Sequence, residues 1–275
     1  LKIKKAVRFH GAKLIVIDPR EIELVQYATV WLRLKPGTNV ALINGLLHVI
    51  LKEGLENKEF IQQRTENVDM LRQVVAQYTP EKVEEITGVP REDIIKAARI
   101  YAGTKKGMIV YGLGMTEHKA GSHGVMSLAN LALLTGNVGR PNTGINPLRG
   151  QNNVQGSCDM GALPDVYTCY QKVDDFAANK KFSEAWGCQL PTKPGLKEPQ
   201  MYRKTIAGKL KAMYIIGYDP AATQANIHHV QSAMRKLDLL VVQEIFMTET
   251  AKLAHVVLPA GCFFEKDGTF TNAER

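Results

Sequence analysis

Residues 148–163 read Leu-Arg-Gly-Gln-Asn-Asn-Val-Gln-Gly-Ser-Cys-Asp-Met-Gly-Ala-Leu and are the most informative stretch of the chain. One cation, Arg149, stands there among four amides and three glycines. The surrounding segment, 122–171, holds four charged residues in fifty, whereas the whole chain is 23% charged. Such a stretch is too polar for an apolar core and too uncharged for an ordinary solvated surface. It is interpreted as backbone and amides around a polar ligand, with the Arg149 guanidinium directed at an anion. A structural arginine bonded to carbonyl groups remains the alternative.

Composition limits the class of protein. With 275 residues, 45% of them hydrophobic, the chain can bury one large core or two of ordinary size. The apolar runs are short, and no apolar signal core follows the basic start Leu1-Lys-Ile-Lys-Lys, so neither a membrane span nor secretion is indicated. Because the chain opens on leucine, it is expected to lie inside a longer gene product.

The charge and the cysteines point to a cytoplasmic protein with a small anionic ligand. The net charge is +8, but no basic stripe is interleaved with aromatics, so nucleic acid is not indicated. The scattered Lys and Arg suit either an ordinary solvated basic surface or an anionic small molecule such as a phosphate-rich cofactor. The four cysteines stand far apart without a CxxC pair, which favours reduced thiols over a disulfide framework or a metal site.

Alternating apolar runs and helical patterns predict an α/β fold with mostly parallel sheets covered by helices. Strands are predicted at 13–17, 29–34, 108–111, 212–216, 239–243 and 256–258. Helices are predicted at 39–53, 57–64, 68–77, 80–87, 90–102, 124–135, 174–186 and 226–236. Apart from a weak helix, residues 172–204 are interpreted as a polar surface excursion.

Ligands of open parallel sheets bind beyond the carboxyl ends of the strands, and four predicted strands end in suggestive residues. These pairs are Asp18/Arg20, Gly112/Gly114, Gly217/Asp219 and Gln243/Glu244. A carboxylate there can accept hydrogen bonds from a guanine edge or from ribose hydroxyls, while glycines admit a pyrophosphate. Neither GxGxxG nor a P-loop occurs, and no histidine has metal-ligand spacing. These strand ends are therefore interpreted either as a nucleotide site without the dehydrogenase fingerprint or as ordinary helix-cap and loop residues.

The two ends of the chain echo one another. Leu14-Ile-Val-Ile-Asp18 followed by Val30-Trp-Leu32 is similar in pattern to Leu240-Val-Val-Gln-Glu244 followed by Val256-Val-Leu258. Chance similarity between any two α/β halves is the alternative. If the echo is real, it predicts two related Rossmann-like nucleotide-binding lobes, residues 1–150 and 151–275.

Three motifs resemble the catalytic subunit of formate dehydrogenases. They are Leu134-Thr-Gly-Asn-Val-Gly-Arg-Pro141, Gly144-Ile-Asn-Pro-Leu-Arg-Gly-Gln-Asn-Asn-Val-Gln-Gly156 and Cys158-Asp-Met-Gly-Ala-Leu-Pro164. Those subunits belong to the molybdopterin oxidoreductases that use bis-(molybdopterin guanine dinucleotide), in the formate dehydrogenase / DMSO reductase fold. The similarity covers essentially all 275 residues.

The resemblance implies a central fragment of a Mo- or W-dependent formate dehydrogenase that interconverts formate and CO2. It places the metal ligand and a [4Fe–4S] domain upstream of Leu1 and none of the metal ligands in this chain. Its implied partners are the remaining domains of the same subunit and iron–sulfur, flavin or hydrogenase subunits that transfer electrons. The isolated 275-residue polypeptide is expected to lack formate dehydrogenase activity.

The resemblance also assigns residues. Arg149 would orient formate and stabilise charge, and Gln151 would hold the pocket beside it. The implied cofactor contacts lie in both predicted lobes. In the first they are Asp18, Arg20, Gly37, Asn39, Gly112, Leu113, Gly114 and Glu117, and in the second Asp219, Thr223, Gln243, Glu244 and Ala260.

Two positions depart from the family pattern. His255 stands where an aspartate usually precedes the Val-Leu-Pro strand, and Glu244 replaces a commoner aspartate. Three other functions remain open at this point: a reductase of the same superfamily that acts on another oxyanion, a non-catalytic structural subunit of the same fold, and a general nucleotide-binding module.

Overall fold

The computed structural model describes residues 1–148 and 150–272 and contains two compact units, Leu1–Arg149 and Gly150–Arg275. The helices of the first unit are α1 (Lys2–His10), α2 (Asn39–Lys52), α3 (Lys58–Arg64), α4 (Val68–Val75), α5 (Pro80–Thr87), α6 (Arg91–Ala102), α7 (Leu113–Thr116) and α8 (Gly121–Thr135). A 3₁₀ turn covers Glu23–Tyr27. The strands of the first unit are β1 (Ile15–Ile17), β2 (Val30–Leu32), β3 (Met108–Tyr111) and β4 (Gly144–Pro147).

Local chemistry explains where these helices begin and end. In α5, the Thr79 side chain accepts a hydrogen bond from the Lys82 backbone N–H, and Pro80 occupies the first turn, where its missing N–H costs nothing. Gly88 ends α5 with a φ of +75°, a conformation that glycine adopts at little cost. The predicted start and stop of this helix are confirmed.

Short parallel pairs carry the first unit. Ile15 pairs with Val30 in β1–β2, and Met108 pairs with Gly144 in β3–β4. α2 lies at the centre of the core, because its apolar side chains are buried against α5, α6 and α8. The fully buried large side chains of this core are Leu32, Leu42, Ile43, Leu47, Ile50, Val75, Val83, Val89 and Ile94.

Two glycines allow α7 to lie directly on α8. A Cβ added at Gly121 would stand 2.0 Å from the Thr116 carbonyl oxygen, and one at Gly124 would stand 2.7 Å from Met115 Sδ. No real Cβ tolerates the first of these contacts, so the backbones would have to separate. The two glycines therefore fix the position of the loop that follows β3.

The second unit contains one three-stranded sheet. Its helices are α9 (Val154–Asp159), α10 (Phe176–Trp186), α11 (Glu198–Ile206), α12 (Pro220–Thr223) and α13 (Ile227–Met234), with 3₁₀ turns at Thr168–Tyr170 and Ala251–Leu253. Its strands are β5 (Ala212–Ile216), β6 (Leu239–Glu244) and β7 (Val256–Pro259), in the order β5-β6-β7 and all parallel.

The two faces of this sheet differ. Leu240 and Val242 are buried in a core with Tyr202 of α11 and with Val230 and Met234 of α13. Side chains alternate between the faces of a strand, and Tyr214 and Ile216, which alternate with the partly buried Met213 and Ile215, are 54% and 62% exposed. The predicted α/β class with parallel sheets covered by helices is confirmed, and helices of this unit cover one of the two faces.

One local prediction is wrong, and one strand was not predicted. Residues 172–204 are not merely a surface excursion, because α11 begins at Glu198 and buries Tyr202 against the sheet core. The Tyr202 hydroxyl donates to the Glu198 carboxylate at 2.6 Å, and burial together with that negative charge raises the pKa of Tyr202. β4 was also missed, since Gly144–Pro147 lacks the alternating apolar pattern of a strand.

No helix within residues 1–148 and 150–272 is long and apolar enough to cross a membrane.

We expect Gly121→Ala to destabilise the first unit by about 1–3 kcal/mol, because the new methyl group would overlap the Thr116 carbonyl. The measurement is the midpoint of thermal unfolding of the cofactor-free full-length subunit. Gly112→Ala is the matched control, since a Cβ there meets nothing within 4 Å. Equal midpoints for the two variants would contradict this packing of α7 on α8.

Candidate functional site

The turn after β1 contains Asp18 and Arg20 and is held by the Asp18 side chain. Asp18 is half-buried, and its Oδ1 accepts from the Arg20 backbone N–H at 2.8 Å. The Asp18 carbonyl accepts from the Trp31 indole N–H at 2.9 Å. The Asp18 carboxylate is therefore fixed at the carboxyl end of the strand, beside the exposed Arg20.

The segment after β2 leads directly into α2. Gly37 turns the chain with a φ of +86°, which explains a glycine at this position. The Thr38 hydroxyl donates to the Lys35 carbonyl at 2.6 Å and does not cap the helix. The first turn of α2 also lacks an acidic residue. The first-turn N–H groups of α2 thus have no side-chain cap from the described part of the chain.

Asn39 joins this segment to the loop after β3. Its side-chain amide donates to the Gly114 carbonyl at 2.9 Å, across 75 positions of sequence. The same carbonyl bonds His118 Nε2 at 2.6 Å. The structure therefore brings together two groups of predicted cofactor residues, the one at Gly37 and Asn39 and the one at 112–117.

The loop after β3 is open. An added Cβ would meet nothing within 4 Å at either Gly112 or Gly114, and neither residue has a left-handed φ. Leu113 is 58% exposed, and Glu117 is exposed beside it. Neither neighbouring side chains nor backbone conformation requires these two glycines, in contrast to Gly121.

In the second unit the predicted residues of β6 and β7 share one edge of the sheet. The Gln243 carbonyl accepts from Gly217 N–H at 2.9 Å, and the Glu244 carbonyl accepts from Ala260 N–H at 3.1 Å. The Tyr214 hydroxyl contacts Gln243 Oε1. Glu244 Oε1 accepts from the Ile245 backbone N–H at 2.8 Å, so the longer side chain turns back on its own backbone.

Asp219 follows β5 and binds the loop after β6. Its Oδ1 accepts from Thr250 N–H at 2.9 Å and from the Thr250 hydroxyl at 2.6 Å. Its carbonyl accepts from the Thr223 hydroxyl at 2.8 Å. Half of the Asp219 carboxylate is therefore occupied within the protein, which the sequence prediction did not foresee.

The two predicted catalytic residues are close together in the sequence. Arg149 lies outside the described residues. Gln151 is exposed in the turn that precedes α9.

Sequence reasoning missed His118 and Thr250. In the sequence analysis His118 entered only as a histidine without metal-ligand spacing, although its separation of four positions from Gly114 is compatible with a contact to that carbonyl. Thr250 carried no signal except its position before a 3₁₀ turn, where threonine commonly caps.

The family departure at His255 has a structural explanation. The His255 ring nitrogen Nδ1 accepts from the Leu240 backbone N–H at 2.9 Å, and the His255 backbone N–H donates to the Leu240 carbonyl at 2.9 Å. A carboxylate could accept the first of these bonds in the same way. Because Leu240 lies near the start of β6, this contact is at the sheet edge opposite Gln243 and Glu244.

Comparison with known proteins identifies relatives over nearly the whole chain. The chain is 51% identical over 266 residues to the F420-dependent formate dehydrogenase subunit alpha of Methanocaldococcus jannaschii, covering 96% of this chain and 39% of that protein. It is 48% identical over 267 residues to formate dehydrogenase H of Escherichia coli, covering 97% of this chain and 37% of that protein. The chain thus spans less than two fifths of the length of these relatives.

A solved structure shows the same fold. Acetylene hydratase from Pelobacter acetylenicus superimposes with a TM-score of 0.71 over 91% of this chain and 37% of its own chain, at 24% sequence identity. The molybdopterin oxidoreductase family matches residues 1–275 in full. Because this match extends over all 275 residues, the chain belongs to the molybdopterin oxidoreductase family.

Proposed function

We propose that this chain is part of a molybdenum- or tungsten-dependent formate dehydrogenase, in which it forms a large share of the cradle for bis-(molybdopterin guanine dinucleotide). Family membership supports a molybdenum or tungsten pterin cofactor. The substrate is proposed from relatives that are named formate dehydrogenases. The observation that carries the cofactor assignment is the open loop at Gly112 and Gly114, bonded to Asn39.

The residues of the first unit fit such a group. A glycine that neither its φ nor its neighbours require is explained when a ligand approaches the backbone closely. Gly112 and Gly114 meet that description, whereas Gly37 is accounted for by its left-handed turn. A planar pterin or a pyrophosphate would occupy the space that side chains leave open at 112–114.

The start of α2 suits the anionic part of a dinucleotide. Backbone N–H groups of a first helical turn carry partial positive charge and bind phosphate when no side chain caps them. α2 has fourteen residues, no acidic residue in its first turn and no side-chain cap. Gly37 and Asn39 would thus contact the pyrophosphate, with Asp18 and Arg20 at the guanosine.

The second unit offers a complementary set for the other guanosine. Asp219 and Glu244 each have one oxygen held by a backbone N–H, which fixes the carboxylate before a ligand arrives. Guanine donates from adjacent ring and amino nitrogens, so a fixed carboxylate oxygen is a suitable acceptor. Thr223, Gln243 and Ala260 would complete this group of contacts.

The chemistry divides between the cofactor and this chain. When bound, the cofactor would supply the acceptor for the two electrons that formate releases, together with one proton, as it becomes CO2. Arg149 would bind formate through two parallel charge-assisted hydrogen bonds and hold its C–H bond in one orientation. Gln151 would donate or accept beside it and so limit the volume of the pocket.

The remaining expectations belong to the same proposal. They are a cytoplasmic location, a [4Fe–4S] cluster held by another part of the subunit, and separate subunits that carry electrons away. The length of the relatives supports further domains, because this chain corresponds to 39% of one and 37% of another.

We expect Arg149→Lys in the full-length enzyme to lower kcat/KM for formate about 10²-fold, because an ammonium group cannot reproduce the bidentate contact. Steady-state formate oxidation measures the effect. Arg140→Lys is the matched control, since the Arg140 side chain bonds only the Gly136 carbonyl, at 2.7 and 3.2 Å, among the described residues. Unchanged formate oxidation by the position-149 variant, or a full-length enzyme that acts on another oxyanion and not on formate, would contradict the proposal.

Gly112→Ala tests the cradle. We expect the cofactor-free subunit to unfold at the same temperature as wild type, since the new methyl group meets no protein atom within 4 Å. The cofactor content of the purified subunit, measured as metal and as guanosine monophosphate released from the cofactor, should fall severalfold. The reason is that the methyl group would occupy space that the cofactor needs beside position 112. Gly195→Ala is the control, where a Cβ makes ordinary contacts of 3.4 Å and more. Full cofactor content in the position-112 variant would show that no ligand lies against this loop.

A further inference from the structure

The bond between Asp219 and Thr250 has a defined direction. Thr250 is fully buried, and its hydroxyl oxygen accepts from Ala221 N–H at 3.0 Å. Since that oxygen already has a donor, the hydroxyl hydrogen is free to point at Asp219 Oδ1, 2.6 Å away. The Thr250 backbone N–H donates to the same carboxylate oxygen at 2.9 Å.

This arrangement connects the loops after two neighbouring strands. Asp219 follows β5, and Thr250 follows β6, so the carboxylate is held from across the sheet rather than by its own loop. Asp219 precedes α12 but does not cap it with its side chain, because Oδ1 is directed to Thr250. The orientation of the carboxylate therefore depends on a residue 31 positions away.

Two donors on Oδ1 leave Oδ2 as the carboxylate oxygen available to a ligand at this sheet edge. We infer that Thr250 is a positioning residue that presents Asp219 Oδ2 to the guanosine of the cofactor, an inference that depends on the function proposed above. Without the Thr250 hydroxyl, the carboxylate can rotate about its χ2 bond and lose its single orientation. Thr250 itself would not touch the nucleotide.

Two variants separate these roles. Asp219→Asn keeps an oxygen that can accept from Thr250, but it replaces Oδ2 with an N–H₂ donor that repels the donors of guanine. Thr250→Val removes the hydroxyl and keeps both the volume and the backbone N–H. Thr250→Ser restores the hydroxyl. Thr205→Val is the matched control, because Thr205 is 1% exposed in the same unit and its hydroxyl bonds only the Met201 carbonyl among the described residues.

The test is calorimetric binding of GMP to the cofactor-free full-length subunit. We expect Asp219→Asn to abolish one class of GMP site. Thr250→Val should weaken that class about tenfold, the loss expected for one hydrogen bond to a charged group. Thr250→Ser and Thr205→Val should bind like wild type, and Asp219→Asn/Thr250→Val should match Asp219→Asn alone.

The outcomes are distinguishable. Wild-type binding of GMP with no effect of Asp219→Asn, or equal affinities in Thr250→Val and Thr205→Val, would overturn the positioning role and leave the proposed cofactor intact. Absence of GMP binding in wild type would overturn both. If Thr250→Val does not fold, Thr250→Ala takes its place, because alanine also lacks the hydroxyl and keeps the backbone N–H, and an affinity equal to that of Thr205→Val would again overturn the positioning role.

Discussion

Parallel pairing of short strands is the constraint on which the rest of the structure depends. Each pair ends its strands at a common edge, and the chain must then turn through a loop before it can return as a helix. Side chains hold these loops across large sequence separations, as Asn39 does with the Gly114 carbonyl and Asp219 does with Thr250. The loops carry polar groups that point away from the core because the strands and helices behind them bury the apolar ones.

The segments that follow the strands contain two kinds of residue with different roles. Gly121 and Thr250 are explained by neighbours within the protein, because a Cβ at Gly121 would overlap the Thr116 carbonyl and the buried Thr250 hydroxyl bonds Ala221 and Asp219. Gly112 and Gly114 are required by nothing around them in the described structure. The cofactor proposed above would need rigid strand ends and open space in front of them, and it would account for both kinds of residue together.

Much of this architecture could be predicted from sequence, where a single local rule dominates. β5 is a compact apolar run. α5 has a threonine cap, a proline in its first turn and a glycine stop. Each element could therefore be predicted from its own local sequence. β4 escaped because Gly144–Pro147 is a strand only through its pairing with β3. α11 escaped because five of its nine residues are polar or charged and its burial rests on the two side chains Tyr202 and Thr205.

The strand-end positions of the candidate residues were predictable, but the contacts of their side chains were not. Strand-end residues such as Asp18 and Gln243 lie where the topology places them, because the rule for parallel sheets is geometric. The partner of Asp219 could not be foreseen, since a hydrogen bond between loops 31 residues apart leaves no periodic trace in the sequence. The weakly charged, amide-rich stretch 148–163 predicted Arg149 as an anion-binding residue, and the family resemblance assigned formate as its ligand; Arg149 lies outside the described residues.

The most direct measurement is an experimental structure of the full-length subunit purified with its metal. Our account predicts pterin or pyrophosphate atoms in van der Waals contact with Gly112 and Gly114, at about 4 Å, and a guanosine whose nitrogens or hydroxyls meet Asp219 Oδ2. A structure in which protein side chains fill the space before this loop, with the cofactor elsewhere, would contradict it.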